Sequence, residues 1–315
     1  MKLPVLLSSA LILCTGLAGA ADLRLGIVGT DTSHATAFAS ILNDPNNKNH
    51  VPGARIVAAY KGGSPDLPSS ADRVEKYAAE LQQKYGVEIV PDIATLMTKV
   101  DAVLLESVDG RRHLEQFREI VKGGKPVFID KPLASTLKDA LEIARLAKEK
   151  NVKWFSASSL RFAEGIPALK IPNMTGAVTW GPSPLDATHE LDLSWYGIHA
   201  VEMLYTLMGP GCEEVSRMYG PDGEMVTGRW KDGRIGSVRL NRPYSQFGAA
   251  VFSAKETKVS GKEMYSGYMG LLNEIVKFFQ TGVVPVPEAE TLEMFQFMEA
   301  ARLSKERGGA VVKLR

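Results

Sequence analysis

The stretch that decides the fold is LRLGIVGTDTSHATAF, residues 23–38. It begins with a short apolar strand over Leu23–Val28, passes through a turn that starts at Gly29, and enters a segment from Ser33 to Leu42 that can form a helix. A buried strand that runs through a glycine turn into a helix is typical of the first unit of a doubly wound α/β domain, whose turn receives the diphosphate of a dinucleotide. The stretch therefore predicts such a domain at this point of the chain.

The turn departs from the dinucleotide pattern G-x-G-x-x-G/A at two places. Gly29 takes the first glycine position, but Asp31 takes the second and His34 the third. Glycines there allow a tight turn and a close approach of the backbone to the diphosphate. We expect the Asp31 side chain to put negative charge and bulk where the diphosphate would lie. The predicted cofactor-binding residues of this segment are Gly26, Gly29, Thr30, Asp31, Thr32, Ser33 and His34.

Outward from this stretch, short apolar strands alternate with amphipathic helices. Helices are predicted over residues 74–85, where Gly86 ends the pattern, and over residues 137–150. Such alternation with short connections predicts a parallel sheet that is covered on both faces and binds ligands at the carboxyl ends of its strands. We assign residues 21–150 to this domain. Further strands are predicted over Arg55–Tyr60, Val87–Val90, Ala102–Leu105, Val127–Ile129 and Trp154–Ala157.

The pattern changes after Phe162, and residues 151–315 are assigned to a second domain of the α+β class. Strand-like segments separated by glycine-rich turns, such as Asp232-Gly233, indicate a largely antiparallel sheet. The predicted strands are Val215–Tyr219, Met225–Trp230, Gly236–Leu240 and Ala249–Ser253, and helices are predicted near Trp195–Met208, Gly267–Gln280 and Ala289–Lys305.

Length and composition agree with two globular domains. The chain has 315 residues, with 45% hydrophobic and 23% charged residues. The 37 Lys and Arg residues against 36 Asp and Glu residues leave a net charge of +1, so no basic excess points to a nucleic acid or an anionic membrane as partner. Two cysteines, Cys14 and Cys212, exclude a disulfide scaffold and a metal site built from several cysteines.

The first twenty residues resemble a secretory signal peptide. Lys2 supplies a positive charge, residues 3–17 are mostly apolar, and Ala18-Gly19-Ala20 offers the small residues that a signal peptidase reads. The apolar stretch is short for a membrane span. We therefore expect cleavage after Ala20 and a secreted or periplasmic protein. The mature chain has no net charge, because the loss of Lys2 leaves 36 basic against 36 acidic residues.

The end of the second predicted strand bears on the choice between NAD and NADP. NAD-binding turns place an Asp or Glu here for the ribose diol, whereas this chain has Lys61 followed by Ser64. Both residues suit a ribose 2′-phosphate, as in NADP. An ordinary solvated lysine in a loop explains Lys61 equally well, and the two interpretations stay open.

Four segments resemble the GFO/IDH/MocA oxidoreductase family, which includes glucose–fructose oxidoreductase and inositol dehydrogenase. Lys125–Ala134, KPVFIDKPLA, is similar to the family segment GKHVxxEKPxA. Ser159–Phe162 resembles the strand with an Arg that follows the crossover helix, and Tyr196–Glu202 resembles the helix start DxGxHxxD. Residues 288–304 resemble the final helix, so the matches spread over nearly the whole mature chain.

The resemblance implies a Rossmann domain that binds NAD or NADP and a second domain that covers the nicotinamide. Lys131 and His199 match the Lys and the His that handle the proton of a sugar hydroxyl while hydride moves to the cofactor. Asp130 stands where the family has a Glu and is implied to contact the nicotinamide ribose. Glu106 and His113 belong to a turn that touches the cofactor in the family. A homo-oligomer formed through the second sheet is also implied.

Trp195 stands where the family has a catalytic Asp, four residues before His199. His189 and its acidic neighbours are candidates to replace that Asp, and Trp195 with Tyr196 offers an aromatic platform for one face of a sugar. Arg161 is expected behind the catalytic residues. The predicted substrate-site residues are Arg161, His189, Trp195 and Tyr196.

The leading hypothesis is an exported oxidoreductase that acts on a sugar, holds NAD or NADP tightly and recycles it within the site. No metal is assigned. The unusual turn and the loss of the Asp at position 195 favour an alternative, in which the same fold performs non-redox carbohydrate chemistry as a lyase or hydrolase. In that alternative Asp31 and His34, with His189 or His199, are candidate metal ligands. A sugar-binding protein without catalytic activity is a third hypothesis.

Overall fold

A computed structural model of the protein describes residues 21–261 and 267–315. Its first sheet has six parallel strands in the order β3-β2-β1-β4-β5-β6. The strand order reverses between β1 and β4, which is the place where doubly wound sheets bind ligands. The predicted fold class of this part is confirmed. The strands are β1 (Leu23–Val28), β2 (Ala54–Tyr60), β3 (Glu88–Val90), β4 (Ala102–Leu105), β5 (Val127–Asp130) and β6 (Trp154–Ala157).

Helices connect these strands, and polar residues fix where the helices begin. The Thr32 hydroxyl accepts a hydrogen bond from the backbone N–H of His34, so it caps the first helix. Gly86 has a left-handed backbone and ends the third helix, as the sequence predicts. The helices are α1 (Ser33–Asn43), α2 (Pro68–Ala71), α3 (Val74–Tyr85), α4 (Ile93–Met97), α5 (Gly110–Ile120) and α6 (Leu137–Glu149).

The second sheet has seven strands in the order β12-β11-β7-β10-β9-β8-β13 and is largely antiparallel, as expected. One pair, β7 with β10, runs parallel. Strand β7 was not predicted, because its two glycines and its final proline hide the strand pattern. The strands are β7 (Met174–Pro182), β8 (Cys212–Gly220), β9 (Gly223–Trp230), β10 (Ile235–Asn241), β11 (Gly248–Ser253), β12 (Thr257–Val259) and β13 (Val312–Lys313).

The helix predicted near Trp195–Met208 is divided in two, because Tyr196 and Gly197 interrupt it. The segment Ser159–Phe162, which resembles a strand in the family, forms a short 3-10 helix instead, and the Ser158 hydroxyl caps it. This corrects the expectation of a strand. The remaining helices are α7 (Asp192–Trp195), α8 (Ile198–Met208), α9 (Met269–Thr281) and α10 (Glu288–Glu306).

The first sheet receives part of its cover from the end of the chain. On one face, Leu272, Ile275 and Phe278 of α9 belong to the same buried cluster as Ile27 of β1 and Phe155 of β6. The rings of Phe155 and Phe278 meet edge to face at 5.2 Å between centroids. The sheet itself extends to residue 157, beyond the predicted end of the first domain at residue 150.

Within residues 21–261 and 267–315, no helix combines the length and apolar character needed to cross a membrane. The predicted signal peptide, residues 1–20, lies outside the described residues.

Candidate active site

A cavity of about 520 Å³ lies at the carboxyl edge of the first sheet, between that sheet and the second domain. Its walls come from the N-terminus of α1, from the residue after β5, from the start of α8 and from the segment before β11. Residues that line it include Thr32, Ser33, His34, Lys131, Trp195, Tyr196, His199 and Phe247. A larger groove of about 890 Å³, between α5, α6 and α10, contains neither Lys131 nor His199.

Lys131 follows β5 directly and projects into this cavity. Its ammonium nitrogen lies 5.5 Å from the centre of the Tyr196 ring, which is within the range of a cation–π contact. Part of the side chain is accessible from the cavity, but the surrounding protein removes most of its water. This burial lowers the pKa of Lys131, although the neighbouring Asp130 carboxylate opposes the shift. Lys131 is therefore easier to deprotonate than an ordinary lysine.

His199 stands in the first turn of α8 and faces the same cavity. Its Nδ1 atom lies 2.7 Å from the Ser158 hydroxyl oxygen, and its ring packs against Tyr196 and Phe247. Burial lowers the pKa of His199 well below its usual value, and the nearby Lys131 and His34 side chains lower it further. The imidazole is therefore neutral at pH 7. The structure thus brings the two predicted catalytic residues to one cavity from two different domains.

His34 forms a close pair with Asp130. Its Nδ1 atom lies 2.5 Å from Asp130 Oδ2, and the carboxyl group is almost fully buried. Burial alone disfavours the ionised carboxyl, but the close contact with His34, together with Lys131, brings the net pKa of Asp130 below its usual value. The sequence assigned both residues to the cofactor site separately and did not predict their contact.

Asp31 does not occupy the cavity, which corrects the expectation that its side chain would oppose a diphosphate. The residue is fully buried beneath the turn. Its carboxylate accepts a hydrogen bond of 2.5 Å from the Ser70 hydroxyl and one of 3.2 Å from the Val108 backbone N–H. Burial raises the pKa of Asp31, although its hydrogen bonds with Ser70 and Val108 oppose the shift.

The turn and the first helix fit the diphosphate and nicotinamide portions of a dinucleotide. Gly29 has φ of 99°, and a Cβ at this position would lie 2.3 Å from the Ser107 backbone nitrogen. Thr32 and Ser33 line the cavity at the positive end of the α1 dipole. Arg73, at the start of α3, also lines the cavity, and its guanidinium forms no ion pair within the part of the chain that the structure describes.

Lys61 and Ser64, the residues predicted for a ribose 2′-phosphate, do not line the cavity. Lys61 lies at the surface, where its ammonium is 2.7 Å from a Glu75 carboxylate oxygen. The Ser64 hydroxyl is buried and donates a hydrogen bond of 2.6 Å to Asp109. Thr30 is also fully buried, and its hydroxyl is bonded to backbone carbonyls. Arg73 does line the cavity, and it was not predicted. Nothing in its local sequence distinguishes it from a surface arginine.

Glu106 and His113 lie below the cavity, not on its wall. Both Glu106 carboxyl oxygens are buried without a hydrogen-bond partner. Burial, and then the charges of Asp130 and Asp31, raise the pKa of Glu106 well above its usual value, so the carboxyl keeps its proton to a higher pH than an ordinary glutamate. The two ring nitrogens of His113 face the carbonyl oxygens of Ser107 and Leu133, and burial lowers its pKa.

Gly26 makes room for Leu96, 2.6 Å from where its Cβ would lie.

Two of the predicted substrate residues, Arg161 and His189, do not line the cavity. Arg161 is buried between Glu202 and Glu290, at 2.6 and 2.8 Å, and so joins α8 to α10. His189 packs on Trp195 and lies 3.3 Å from Asp109, a separation typical of an ion pair but poorly aligned for a hydrogen bond. Trp195 and Tyr196 do line the cavity, as predicted.

Within the described residues, none of the acidic neighbours of His189 is hydrogen-bonded to His199, whose partner is the Ser158 hydroxyl. Asp192 is held by Arg217 and Lys305, at 2.9 and 3.0 Å. The candidate metal ligands of the alternative hypothesis are not brought together. Asp31 is bonded to Ser70 beneath the turn, whereas His34 is paired with Asp130. Across residues 21–261 and 267–315, no group of three or more His, Cys, Asp or Glu side chains is placed to hold a metal ion.

Comparison with known proteins shows which family the first domain is similar to. Residues 23–158 match a family model described as "Oxidoreductase family, NAD-binding Rossmann fold", GFO_IDH_MocA. No curated protein sequence matches significantly.

Solved structures share the fold of both domains. A probable dehydrogenase from Thermotoga maritima has 22% identity and a TM-score of 0.73, covering 93% of this chain and 99% of its own. A myo-inositol dehydrogenase from Lactobacillus casei, solved with NAD(H) and myo-inositol, has 18% identity and a TM-score of 0.74, covering 94% of this chain and 97% of its own. A myo-inositol 2-dehydrogenase from Lactobacillus plantarum has 14% identity and a TM-score of 0.75, covering 94% and 100%. The family match covers residues 23–158, the first domain, and there the chain is similar to the GFO/IDH/MocA oxidoreductase family.

Proposed function

We propose that this NAD(P)-dependent oxidoreductase oxidises a secondary hydroxyl group of a sugar or cyclic polyol. One observation carries the proposal: Lys131 of the first domain and His199 of the second line a single cavity beside the glycine turn. Catalysis at the carboxyl edge of a doubly wound sheet is the usual arrangement for nucleotide-dependent enzymes.

Oxidation of an alcohol removes a hydride from carbon and a proton from oxygen. When bound, the nicotinamide accepts the hydride, so the protein must manage the proton. Lys131 and His199 are placed to hydrogen-bond the reacting hydroxyl and to share its proton. The lowered pKa of Lys131 makes its amine a better acceptor near neutral pH, and the neutral His199 keeps one ring nitrogen for the substrate.

The aromatic wall supports a substrate with a carbohydrate-like face. Trp195, Tyr196 and Phe247 line the cavity on the side of the second domain. Aromatic rings of this kind pack against apolar C–H faces, while hydroxyl groups remain available to Lys131, His199 and Ser159. The myo-inositol bound by the Lactobacillus casei enzyme is a molecule of this chemistry.

The nucleotide would lie with its diphosphate over Thr32 and Ser33. Arg73 lines the same cavity and suits either the diphosphate or a ribose phosphate, so NAD and NADP are both candidates.

We also propose that the protein is exported and that its nucleotide stays bound between turnovers. The signal-like residues 1–20 support export, and an exported enzyme has no soluble nucleotide pool to draw on.

The test is to purify the protein, denature it, and identify any nucleotide that is released. Thermal shifts with added NAD and NADP follow, and then turnover of a panel of sugars and cyclic polyols that includes myo-inositol. Binding raises the melting temperature by mass action. Release of neither nucleotide, together with no shift by either, overturns the redox proposal.

A second candidate, non-redox carbohydrate chemistry, is favoured by one observation. The loops after β2 and β4 are joined by the buried Ser64–Asp109 hydrogen bond, and Ser70 of α2 is joined to Asp31 of the turn. In nucleotide-binding domains the adenosine lies near the ends of these strands. Loops that are tied together there leave less room for an adenosine, which favours a function without the nucleotide. A protein that turns over a carbohydrate without NAD or NADP in the same assays would establish this second function.

A further inference from the structure

Two departures from the family pattern meet in space. His34 stands at the third glycine position of the turn, and Asp130 stands where the family has a Glu. The residues are 96 positions apart, yet His34 Nδ1 lies 2.5 Å from Asp130 Oδ2. The other carboxylate oxygen, Oδ1, accepts a hydrogen bond of 2.8 Å from the Lys131 backbone N–H. Because both oxygens are engaged, the carboxylate has one orientation and fixes the imidazole.

The ring of His34 is also held by its neighbours. It stacks on Phe38 at 5.5 Å and meets Tyr268 edge-on at 4.8 Å between centroids. Nδ1 is committed to Asp130, whereas Nε2 forms no hydrogen bond with any residue that the structure describes. Since the ring lines the cavity, Nε2 is the atom left for a ligand.

The opposite wall lacks such a pair. Trp195 replaces the family's Asp, and His199 has the neutral Ser158 hydroxyl as its partner. Within the described residues, the carboxylate–imidazole pair on the cavity wall therefore comes from the first domain. A carboxylate partner matters because it stabilises the imidazolium that forms when the ring accepts a proton.

We propose that His34, oriented by Asp130, is a catalytic acid/base of this site. The inference rests on the proposed function. In the oxidation, the substrate O–H bond breaks and its electron pair forms the C=O bond. The hydride leaves carbon for the nicotinamide of NAD(P)⁺, and the proton that Lys131 and His199 share passes on to His34 Nε2. The reverse steps return the proton during reduction. Lys131 and His199 hold the hydroxyl oxygen while the proton moves.

The charged and titratable groups around His34 agree with this role. Asp130 and Lys131 face it from the end of β5, His199 from α8, and Tyr268 from the residue before α9. Glu106, which follows β4, is close enough to Asp130 for its pKa to be raised by that carboxylate as well as by burial. Asp130 is thus the ionised carboxylate in direct contact with the ring.

The first arm of the test needs no substrate. Diethyl pyrocarbonate acylates accessible neutral imidazole nitrogens, and mass spectrometry can follow each of the five histidines. We expect acylation at His34 and a rate about tenfold lower in Asp130→Asn, because a charge-assisted hydrogen bond of this strength is lost. His50 is the matched control, since its Nδ1 is also bonded, but to the neutral Ile41 carbonyl at 2.9 Å. Its rate should not change.

The second arm uses the nucleotide-loaded enzyme and the best substrate of the polyol panel. His34→Asn should lower kcat by roughly 10²- to 10⁴-fold with little change in KM, and free imidazole should partly rescue His34→Ala. His50→Gln should keep the kcat of the wild type. Melting temperatures of all variants separate catalysis from misfolding.

The outcomes are distinct. Acylation of His34 that is slower than that of His50, or equally fast in Asp130→Asn, overturns the inference whether or not turnover is found. An unchanged kcat in His34→Asn also overturns it. If the wild type binds and turns over no nucleotide, the proposed function fails, and with it the redox step assigned to His34; the acylation rates then report the Asp130–His34 pair alone.

Discussion

The Nδ1 atom of His199 lies 2.7 Å from the hydroxyl oxygen of Ser158, so the first turn of α8 is tied to the residue that follows β6. This bond crosses from the second domain to the first sheet. It sets the direction of the imidazole at the place where the two domains form the cavity.

Removal of this hydroxyl should therefore misplace the imidazole. We expect Ser158→Ala to lower kcat/KM about fivefold, the equivalent of one neutral hydrogen bond of about 1 kcal/mol. Steady-state kinetics measure the effect. Ser216→Ala is the control, because that hydroxyl donates a hydrogen bond to the Gly309 carbonyl but lies outside the cavity. Equal losses in both variants would contradict the orienting role of Ser158.

Lys131→Met should lower kcat by roughly 10²- to 10⁴-fold if the amine shares the substrate proton. The lowered pKa of Lys131 also gives a pH dependence. Activity that needs the neutral amine rises with pH and levels off below the ordinary lysine pKa of 10.5. A pH profile of kcat/KM measures this. Lys138→Met, at an exposed position of α6, is the control, and a profile that is flat in the wild type would exclude Lys131 as the acceptor.

Arg73→Gln should weaken nucleotide binding by about tenfold, since a charge-assisted hydrogen bond to a phosphate is worth about 1.5–3 kcal/mol. Isothermal titration with NAD and with NADP measures both affinities. A loss confined to NADP would place Arg73 at the ribose phosphate, and an equal loss would place it at the diphosphate. Lys76→Gln, one turn further along α3, removes a charge without touching the cavity and should leave both affinities unchanged.

Glu106 should make stability fall as the pH rises. Its pKa in the folded protein lies well above 4.5, the ordinary value that applies to the unfolded chain. Between these two values the unfolded chain loses this proton and the folded protein keeps it, so the free energy of unfolding drops by up to about 1.4 kcal/mol per pH unit. Glu106→Gln removes this dependence.

Denaturant unfolding at several pH values measures the difference between Glu106→Gln and the wild type. The free energy of unfolding of the variant, relative to that of the wild type, should increase with pH above 4.5. The increase should end once the carboxyl of Glu106 ionises in the folded wild type. A difference that does not vary with pH would show that Glu106 is already ionised in the folded state.

Export can be tested by expression of the full chain in a bacterial host. We expect a mature protein in the periplasm or medium whose N-terminal residue is Ala21, shown by N-terminal sequencing. An intact Met1 on cytoplasmic protein would contradict this prediction.

Local patterns were sufficient for most of the fold. The apolar run Ala102–Leu105 and the alternation around it predicted the parallel sheet, because buried parallel strands are continuous apolar runs. Strand β7 was missed, since two glycines and a final proline within Met174–Pro182 weaken every local strand signal. Its pairing with β10 and β11 supplies what its own sequence lacks.

The site was predicted only in part. Lys131 and His199 were found through family motifs. The direction of the Asp31 side chain could not be predicted, because it depends on Ser70, 39 residues away. The His34–Asp130 contact has the same origin in long-range packing. Residue type and spacing identify chemistry along a chain, whereas the partner of each polar group is decided by tertiary structure.

The packing of α9 on the first sheet limits how this protein can be divided. A fragment that stops at residue 158 would keep all six parallel strands, yet it would leave Phe155 and Ile27 without the apolar side chains of Leu272, Ile275 and Phe278. Such a fragment should aggregate, since a bare sheet face attracts other copies. The first domain is thus completed by α9, which lies near the end of the chain. Most of the chain must therefore be synthesised before the first domain is stable.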